Sequence, residues 1–296
     1  MTRIFIDGAA GTTGIEIEAR LTGRAEFELI KLDDAKRKDA TTRREALNAA
    51  DIVVLCLPDD AAREAVALID NKTTRVIDAS TAHRTAKGWT YGFPEIGNDV
   101  ASAMRVSNPG CYATGFIALI APLIKARRIG SGAPIMCNAV SGYSGGGKAM
   151  IAEFEKSNPP AWRTYALGLS HKHVAEMQTQ CGLVNPPLFA PSVANTYRGM
   201  IVDVPIFGSN PKAIRETLAE AYAESPIVNL CALDVDTLAV EHSANSDRLD
   251  LFVFTNGSQT RLTAALDNLG KGASGAAVQN LNLMAGLPET TGLRLT

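Results

Sequence analysis

The sequence predicts an α/β protein with a Rossmann-type, doubly wound parallel sheet and an α+β, mostly antiparallel second domain. A strand, a glycine turn and a helix open the chain, strands and helices then alternate, and strands outnumber helices further on. A chain of 296 residues is long enough for two domains. We expect a dinucleotide-binding domain at residues 1–111, completed by residues 266–296, and a catalytic and oligomerisation domain at residues 112–265.

The first predicted element is a short apolar strand, residues 3–7, followed by a glycine turn and a helical pattern. The glycines are spaced GxxGxxG, whereas the dinucleotide fingerprint is GxGxxG. Glycines at the first two positions let the backbone approach a pyrophosphate, which the helix N-terminus then faces. An ordinary tight turn is the alternative. The cofactor-binding residues expected in this turn are Gly8, Gly11, Thr12, Thr13 and Gly14.

The second strand, residues 27–32, is followed by both acidic and basic residues. An acidic residue at this point binds the ribose 2′-hydroxyl of NAD, whereas a cation accepts the 2′-phosphate of NADP. Asp33 and Asp34 fit the first case, and Lys36, Arg37 and Lys38 fit the second. We predict NADP(H), because three successive cations could neutralise a phosphate dianion; a solvated basic turn is the alternative.

Two further strands are predicted at residues 51–58 and 75–78, with a helix at residues 61–69 between them. The unbroken apolar run of the first is typical of parallel strands covered on both faces. Ligands of doubly wound sheets bind at the carboxyl ends of the strands, where Ser80 and Arg84 lie. We expect Ser80 to contact the cofactor.

The segment Asn108-Pro109-Gly110 predicts a turn, and the apolar run after it predicts a helix that begins at or next to Cys111. A helix N-terminus carries partial positive charge, which favours thiolate over thiol. Its N–H groups could also hold an oxyanion formed when the thiolate attacks a carbonyl. Cys111 is therefore the candidate nucleophile; a buried structural cysteine is the alternative.

A glycine- and serine-rich loop is predicted at residues 141–148. Its N–H and hydroxyl groups could wrap an anion, and a flexible surface loop is the alternative. It is not a Walker A loop, because Ala149 stands where a serine or threonine is required.

Two of the four histidines lie in one tripeptide, His171-Lys172-His173. His173 and Glu176 share a face if the segment is helical, and a carboxylate beside an imidazole orients it and raises its basicity. The spacing HxHxxE differs from the zinc-binding HExxH, and no metal is predicted. A structural or exposed role is the alternative, and the residues alone do not decide between His171 and His173 as an acid–base.

The remaining chain is predicted to be rich in strands, at residues 134–140, 200–207, 227–231, 249–254 and 260–265. One helix is expected at residues 212–224, with Asn210 as N-cap and Pro211 at its first position. Small residues at 267–277 precede a helical pattern, and we expect this segment to pack back on the first domain.

Composition argues against several classes of protein. A net charge of −2 and a pI of about 6.1 indicate no surface for nucleic acid or anionic lipid. The longest apolar run, residues 113–124, is shorter than the about 20 residues of a membrane helix. The five cysteines are far apart without a CxxC pair, which argues against disulfides and zinc and favours reduced thiols in the cytoplasm.

Taken in order, these segments resemble the N-acetyl-γ-glutamyl-phosphate reductases of arginine biosynthesis, with a compact spacing similar to the shorter bacterial subgroup. They resemble aspartate-semialdehyde dehydrogenases more distantly. Ala82 and Ala113 replace an acidic residue and a proline common in the family, and neither change touches a reacting group. The matching segments are residues 8–14, 78–80 with Arg84, 91–95, 109–112, 141–145, His171 to Glu176, Arg198-Gly199 and 268–273.

The resemblance implies that the Cys111 thiolate attacks the acyl phosphate of N-acetylglutamyl phosphate and releases phosphate. NADPH then reduces the thioester to N-acetylglutamate semialdehyde. His173, oriented by Glu176, is the implied general acid–base, and His171 is the competing assignment. A homo-oligomer, either dimer or tetramer, is also implied. The other implied contacts are Ser141, Gly142, Arg198 and Arg84 for the substrate, and Asn268, Lys271 and Gly272 for the nicotinamide end of the cofactor.

Three alternatives stay open from the sequence. The same chemistry could act on aspartyl phosphate or N-acetyl-aminoadipyl phosphate. A non-catalytic dinucleotide sensor would need neither Cys111 nor the pair His173 and Glu176. A cysteine hydrolase would use a cysteine and a histidine but would leave the glycine turn unexplained.

Overall fold

The computed structural model describes residues 1–33, 35–37, 39–208, 210–232 and 235–296. The chain divides into two compact units. The first comprises residues 1–94, 98–109 and 273–292, and the second comprises residues 95–97, 110–272 and 293–296. The chain therefore passes from the first unit to the second just before Cys111. The functional boundaries expected at residues 111 and 266 stay a prediction.

The described residues form thirteen strands and eight α-helices. The strands are β1 (Thr2–Asp7), β2 (Phe27–Ile30), β3 (Ile52–Leu55), β4 (Arg75–Asp78), β5 (Thr90–Tyr91), β6 (Arg105–Ser107), β7 (Met136–Gly142), β8 (Trp162–Thr164), β9 (Leu188–Ala194), β10 (Met200–Phe207), β11 (Val228–Leu230), β12 (Leu249–Asn256) and β13 (Gln259–Leu266). The helices are α1 (Thr12–Leu21), α2 (Ala40–Ala49), α3 (Asp59–Ala67), α4 (Cys111–Lys125), α5 (Gly147–Phe154), α6 (Lys172–Cys181), α7 (Pro211–Ala221) and α8 (Gly275–Met284).

The first unit contains one parallel sheet in the order β2-β1-β3-β4-β6-β5. Apolar side chains of β1, β3 and β4 form a buried cluster with residues of α2 and α3, and α1 packs against α8. The predicted doubly wound fold is confirmed. Because the strands are parallel, the residues after β1, β4 and β6 lie at one edge of this sheet.

The second unit contains a seven-stranded sheet in the order β11-β12-β13-β10-β7-β9-β8. Four pairings are antiparallel, and the pairs β7–β9 and β11–β12 are parallel. Helix α4 packs on β10 and β13, where Gly115 faces the side chains of Val202 and Ala264. The predicted mostly antiparallel second domain is confirmed.

The region after residue 140 differs from the prediction of a loop. Ser141 and Gly142 belong to β7, because they continue its pairing with β9. A single turn of 3₁₀-helix over Tyr143–Gly146 then leads into α5. The predicted start of α7 is confirmed, since the side chain of Asn210 accepts hydrogen bonds from Lys212 N and Ala213 N and Pro211 opens the helix.

Within the described ranges, every helix is too short or too polar to cross a bilayer.

Candidate active site

Cys111 is the first residue of α4, and Gly110 is its N-cap. The prediction that this cysteine lies at a helix N-terminus is confirmed. The carbonyl oxygen of Gly110 accepts hydrogen bonds from Thr114 N at 2.8 Å and from Thr114 Oγ1 at 3.0 Å, which close the first turn. The positive end of a fifteen-residue helix therefore lies at the thiol, where it favours the thiolate.

Glu176 connects the cysteine turn to a histidine. Its Oε2 accepts a hydrogen bond from Gly110 N at 3.1 Å, and its Oε1 lies 3.7 Å from His173 Nε2. The side chains of His173 and Glu176 are 6% and 1% exposed. One buried carboxylate thus holds the backbone before Cys111 and faces an imidazole one helical turn away, as the spacing of the two residues in α6 predicted.

His171 is the N-cap of α6. Its Nδ1 accepts a hydrogen bond from His173 N at 3.1 Å, which assigns the proton of a neutral ring to Nε2. The ring centroids of His171 and His173 are 4.7 Å apart, and both rings lie beside Tyr112, at 6.1 and 5.8 Å. Tyr112 follows Cys111 directly, so both histidines line the N-terminal end of α4.

Two tyrosines complete this side of the site. Burial raises the pKa of Tyr112 well above its ordinary value, and neighbouring Tyr165 and Cys111 raise it further. Burial likewise raises the pKa of Tyr165 to about 12. Both phenols therefore stay protonated at neutral pH and are hydrogen-bond donors; Tyr112 Oη donates to Ser192 O at 2.9 Å. Sequence reasoning missed Tyr165, because no local motif marks it.

In the second unit, the side chain of Asn268 forms hydrogen bonds with the backbone and with a serine, and the side chain of Arg198 is paired with a carboxylate. Asn268 accepts from Gly199 N at 3.0 Å and donates to Ser144 Oγ at 2.8 Å. Arg198 Nη1 donates to Asp267 Oδ2 at 3.1 Å. Their predicted contacts to cofactor and substrate stay predictions.

Ser141 and Gly142 lie at the end of β7 in the second unit. Ser141 is buried, and its hydroxyl donates to the Gly142 carbonyl oxygen at 2.9 Å. Gly142 packs against the backbone of residues 196–198, where a Cβ would lie 2.7 Å from Tyr197 O. Their predicted role in substrate binding stays a prediction.

Arg84 lies in the first unit and is 9% exposed. Its Nε donates to Asn108 O at 3.0 Å, and its Nη2 donates to Ala79 O at 3.2 Å. Asn108 N in turn donates to Asp78 O at 2.7 Å. Arg84 thus helps to fix the backbone three residues before Cys111, and its predicted contact with the substrate stays a prediction.

A cavity of about 670 Å³ opens at the glycine turn of the first unit. Gly8 has a φ of 91°, and a Cβ on it would lie 2.3 Å from the carbonyl oxygen of Cys56, so only glycine fits. Gly11 is the N-cap of α1, which Thr12 and Thr13 open and whose Gly14 is buried. A helix N-terminus at a cavity of this size suits the pyrophosphate of a dinucleotide. Its lining includes Gly8, Ala9, Ala10, Gly11, Lys31, Leu32, Arg37, Arg43, Leu57 and Pro58.

The cationic wall of this cavity contains a residue that sequence reasoning missed. Arg43 Nη2 lies 2.8 Å from Oδ2 of Asp7, and their side chains are 13% and 7% exposed. The arginine compensates a buried carboxylate at the end of β1, where a dinucleotide pyrophosphate would otherwise meet like charge. Arg37 also lines the cavity, whereas Asp34 and Lys38 lie outside the described residues. The sequence could not predict the position of Arg43 at this cavity, because no sequence pattern indicates that α2 packs close to β1.

Ser80 is held by the last residue of β4. Ser80 N and Oγ donate to the two carboxylate oxygens of Asp78 at 2.9 and 2.8 Å. His83 Nδ1 lies 2.6 Å from Asp78 Oδ2, and its ring stacks on Trp89 at 4.0 Å. The loop at this sheet edge is therefore organised around one buried carboxylate, and the predicted contact of Ser80 with a cofactor stays a prediction.

The thiols differ in the environment that sets their reactivity. Burial, with the carboxylates of Asp78 and Asp7, raises the pKa of Cys56 to about 12, and burial, with Asp250, raises the pKa of Cys231 to about 11. Burial also raises the pKa of the Cys137 and Cys181 thiols. These four thiols stay protonated at pH 8. Cys111 differs from them because it lies at the N-terminus of α4, which favours the thiolate.

We therefore expect iodoacetamide at pH 8 to label Cys111 first, and Cys231 next as the pH approaches 11. Peptide mass spectrometry over time measures the order. Earlier labelling of Cys56 or Cys231 would contradict it.

No group of three or more histidine, cysteine, aspartate or glutamate side chains suited to a metal ion occurs among the residues that the structure describes.

Comparison with known proteins identifies the family. Residues 33–104 match the model of the semialdehyde dehydrogenase NAD binding domain, and residues 111–268 match that of the semialdehyde dehydrogenase dimerisation domain. The chain is 48% identical to an N-acetyl-gamma-glutamyl-phosphate reductase of Burkholderia lata, with 97% of each chain covered. It is 44% identical to one of Trichormus variabilis, with 98% of this chain and 99% of that protein covered. The chain belongs to the N-acetyl-γ-glutamyl-phosphate reductase family.

Solved structures with the same fold are aspartate-semialdehyde dehydrogenases. The enzyme II from Vibrio cholerae, complexed with ASA, superposes with a TM-score of 0.73 at 16% identity, covering 97% of this chain and 98% of that one. The Francisella tularensis protein gives 0.71 at 12% identity, with 96% and 100% covered. As a member of the reductase family, this chain is an oxidoreductase with a nicotinamide dinucleotide-binding domain.

Proposed function

We propose that the protein reduces N-acetyl-L-glutamyl 5-phosphate to N-acetyl-L-glutamate 5-semialdehyde and phosphate, with NADPH, in arginine biosynthesis. The observation that carries the proposal is the link through Glu176 between the Cys111 turn and His173. The names of the reductases to which the chain is 44–48% identical support the same reaction. The five cysteines, none in a disulfide, support the expected cytoplasmic location.

Cys111 forms the covalent intermediate in this proposal. Its thiolate attacks the acyl carbon, a C–S bond forms, the C–O bond to phosphate breaks, and inorganic phosphate leaves. The N–H groups at the start of α4 stabilise the oxyanion of each tetrahedral intermediate. The nicotinamide cofactor, when bound, supplies the hydride that reduces the thioester. Expulsion of the Cys111 thiolate then releases the aldehyde.

His173 exchanges the protons in this proposal. It takes the thiol proton from Cys111 and gives it to the departing phosphate. After hydride transfer the oxyanion of the reduced intermediate expels the Cys111 thiolate, which takes up a proton from solvent through His173. Glu176 accepts a hydrogen bond from Gly110 N through one carboxylate oxygen and faces His173 Nε2 at 3.7 Å with the other, so one carboxylate contacts the turn of the nucleophile and faces the base. His171 is the second candidate; its Nδ1 is occupied by the backbone of α6, which leaves only Nε2 for proton exchange.

Phosphate-dependent reduction of NADP with N-acetylglutamate semialdehyde tests the proposal directly. The same assay with aspartate semialdehyde and N-acetyl-aminoadipate semialdehyde separates the alternative substrates. We expect kcat/KM for the N-acetylglutamate compound to be at least about 100-fold higher, since leaving a buried polar group unpaired costs several kcal/mol. Cofactor binding without turnover of any of the three would favour a dinucleotide sensor.

Arg37 supports the preference for NADPH, because it lines the cavity beside the glycine turn. We expect Arg37→Ala to raise KM for NADPH about 10-fold, as loss of one charge-assisted contact to a phosphate does, and to leave KM for NADH nearly unchanged. Arg44→Ala is the matched control, because Arg44 is exposed and paired with Asp70. Equal weakening of both cofactors would argue against the 2′-phosphate contact.

A second copy of the chain is the proposed partner. Phe207, Leu188 and Met136 are 75%, 47% and 40% exposed. They lie on the face of the second sheet opposite α4, because β7 pairs with β9 and β10 and side chains alternate along each strand. Exposed apolar side chains on one sheet face, in a region matching a dimerisation domain, support a homodimer through this face. Light scattering should give about twice the monomer mass of 31.3 kDa.

A further inference from the structure

Lys271 and Glu95 form a buried ion pair in the second unit. Lys271 Nζ lies 2.5 Å from Glu95 Oε1, and their side chains are only 2% and 4% exposed. Removing two charges from water to this degree costs free energy that burying apolar side chains would not cost. Stability is therefore a weak explanation for the presence of a buried ion pair. Its place in the chain indicates another reason.

Lys271 lies in a π-helical turn, Gly270–Ser274, a rare geometry often found at functional sites. Asp267 holds the start of this turn: its Oδ1 accepts from Leu269 N at 2.7 Å, and its carbonyl oxygen accepts from Gly270 N and Gly272 N at 3.1 and 3.0 Å. The ion pair with Glu95 fixes the turn at a second point through a side chain.

The π-helical turn lies against the nucleophile. A Cβ placed on Gly272 would lie 2.8 Å from Cβ of Cys111, so the backbone at Gly272 is in close contact with the side chain of Cys111. A small shift of the turn therefore changes the space in which the thiol is held. Reacting groups tolerate errors of only about 0.5 Å, and about 1 Å can cost 100-fold in rate.

We propose that the Lys271–Glu95 pair is a positioning device that holds the π-helical turn against Cys111 and so fixes the thiol for attack. The inference rests on the proposed role of Cys111 as nucleophile. It gives Lys271 a role in the second unit that differs from the cofactor contact implied by the family resemblance. A directed ion pair suits this task because its hydrogen bond specifies one geometry, whereas apolar contacts accept several.

The test compares Lys271→Met, Glu95→Gln and the double variant Lys271→Met/Glu95→Met. Lys212→Met is the control, because Lys212 forms an exposed pair with Glu216 at 3.9 Å. The first readout is the rate of Cys111 alkylation by iodoacetamide between pH 6 and 9, which needs neither substrate nor cofactor. The second is kcat and KM of the reductase reaction, and circular dichroism verifies folding.

We expect Lys271→Met to slow alkylation and to lower kcat about 10-fold or more, and Glu95→Gln about 3- to 10-fold, with KM nearly unchanged. The double variant leaves no buried charge without a partner, but it also lacks the directed contact, so alkylation and kcat should stay at least about 3-fold below those of the unmodified protein. Lys212→Met should have no effect beyond about 2-fold.

Folded single variants with unchanged alkylation and kcat would overturn the proposal, and so would a double variant that recovers both rates completely, because the pair would then be a structural one. If Lys271→Met does not fold, Glu95→Gln and the double variant decide by the same limits. Failure of the proposed function is distinguishable from failure of the positioning role. If the unmodified protein turns over no acyl phosphate but its Cys111 is alkylated at the rates expected above, the positioning role remains supported.

Discussion

Cys111→Ser is expected to lower kcat by at least about 10⁴-fold, the scale seen when a covalent nucleophile is removed. A serine hydroxyl is hardly ionised at neutral pH, and the dipole of α4 cannot make up that difference. Binding of NADPH should survive, because the glycine turn and its cavity are built from residues 5–61 of the first unit. Steady-state turnover and cofactor fluorescence measure the two effects.

Cys231→Ser is the control for this variant. Cys231 lies beside β11, and the carbonyl oxygen of Asn229 accepts from its thiol at 3.9 Å, so we expect nearly unchanged turnover. If Cys111→Ser kept more than about 1% of the activity of the unmodified protein, the covalent mechanism would be wrong. Loss of NADPH binding together with activity would instead indicate that the substitution disturbed the fold.

His173→Asn is expected to lower kcat about 10²- to 10³-fold, the range for loss of a positioned acid–base. His173 is the imidazole that Glu176 faces, and Glu176 also holds the turn of the nucleophile. His171→Asn is a matched comparison, because the asparagine oxygen can replace Nδ1 as N-cap of α6. We expect it to lower kcat less than about 10-fold.

The pair of variants also decides the assignment that the sequence left open. A larger loss in His171→Asn than in His173→Asn would transfer the acid–base role to His171. The kcat of Glu176→Gln should lie between those of the unmodified protein and His173→Asn. An amide keeps the hydrogen bond from Gly110 N but no longer favours the imidazolium.

Several elements were not predicted, each for a local physical reason. Strand β9 contains Pro191, which argues against a central strand, yet β9 pairs in parallel with β7 over its whole length. Helix α2 has a mostly polar sequence; its N-cap Asp39 accepts a hydrogen bond from Thr42 N and is its clearest local signal. Strand β5 has two residues, too few for any periodic pattern.

The sequence by itself determined the features that local chemistry dictates. The glycine turn after β1, the helix that starts at Cys111 after Pro109-Gly110, and the shared face of His173 and Glu176 each follow from residues close together in the chain. Turn propensity, helix capping and helical spacing act over a few residues, so the sequence displays them directly.

Only the tertiary structure decided which distant groups meet. Glu176 reaches Gly110 across 66 positions, Lys271 reaches Glu95 across 176, and Arg198 pairs with Asp267 across 69. These partners are selected by the packing of α4, α6 and the π-helical turn in the second unit, and no pattern along one chain records them. Lys271 and Arg198 carry positive charges that suit the binding of an anion. Both are paired with carboxylates within the protein, because a buried charge needs a partner nearby.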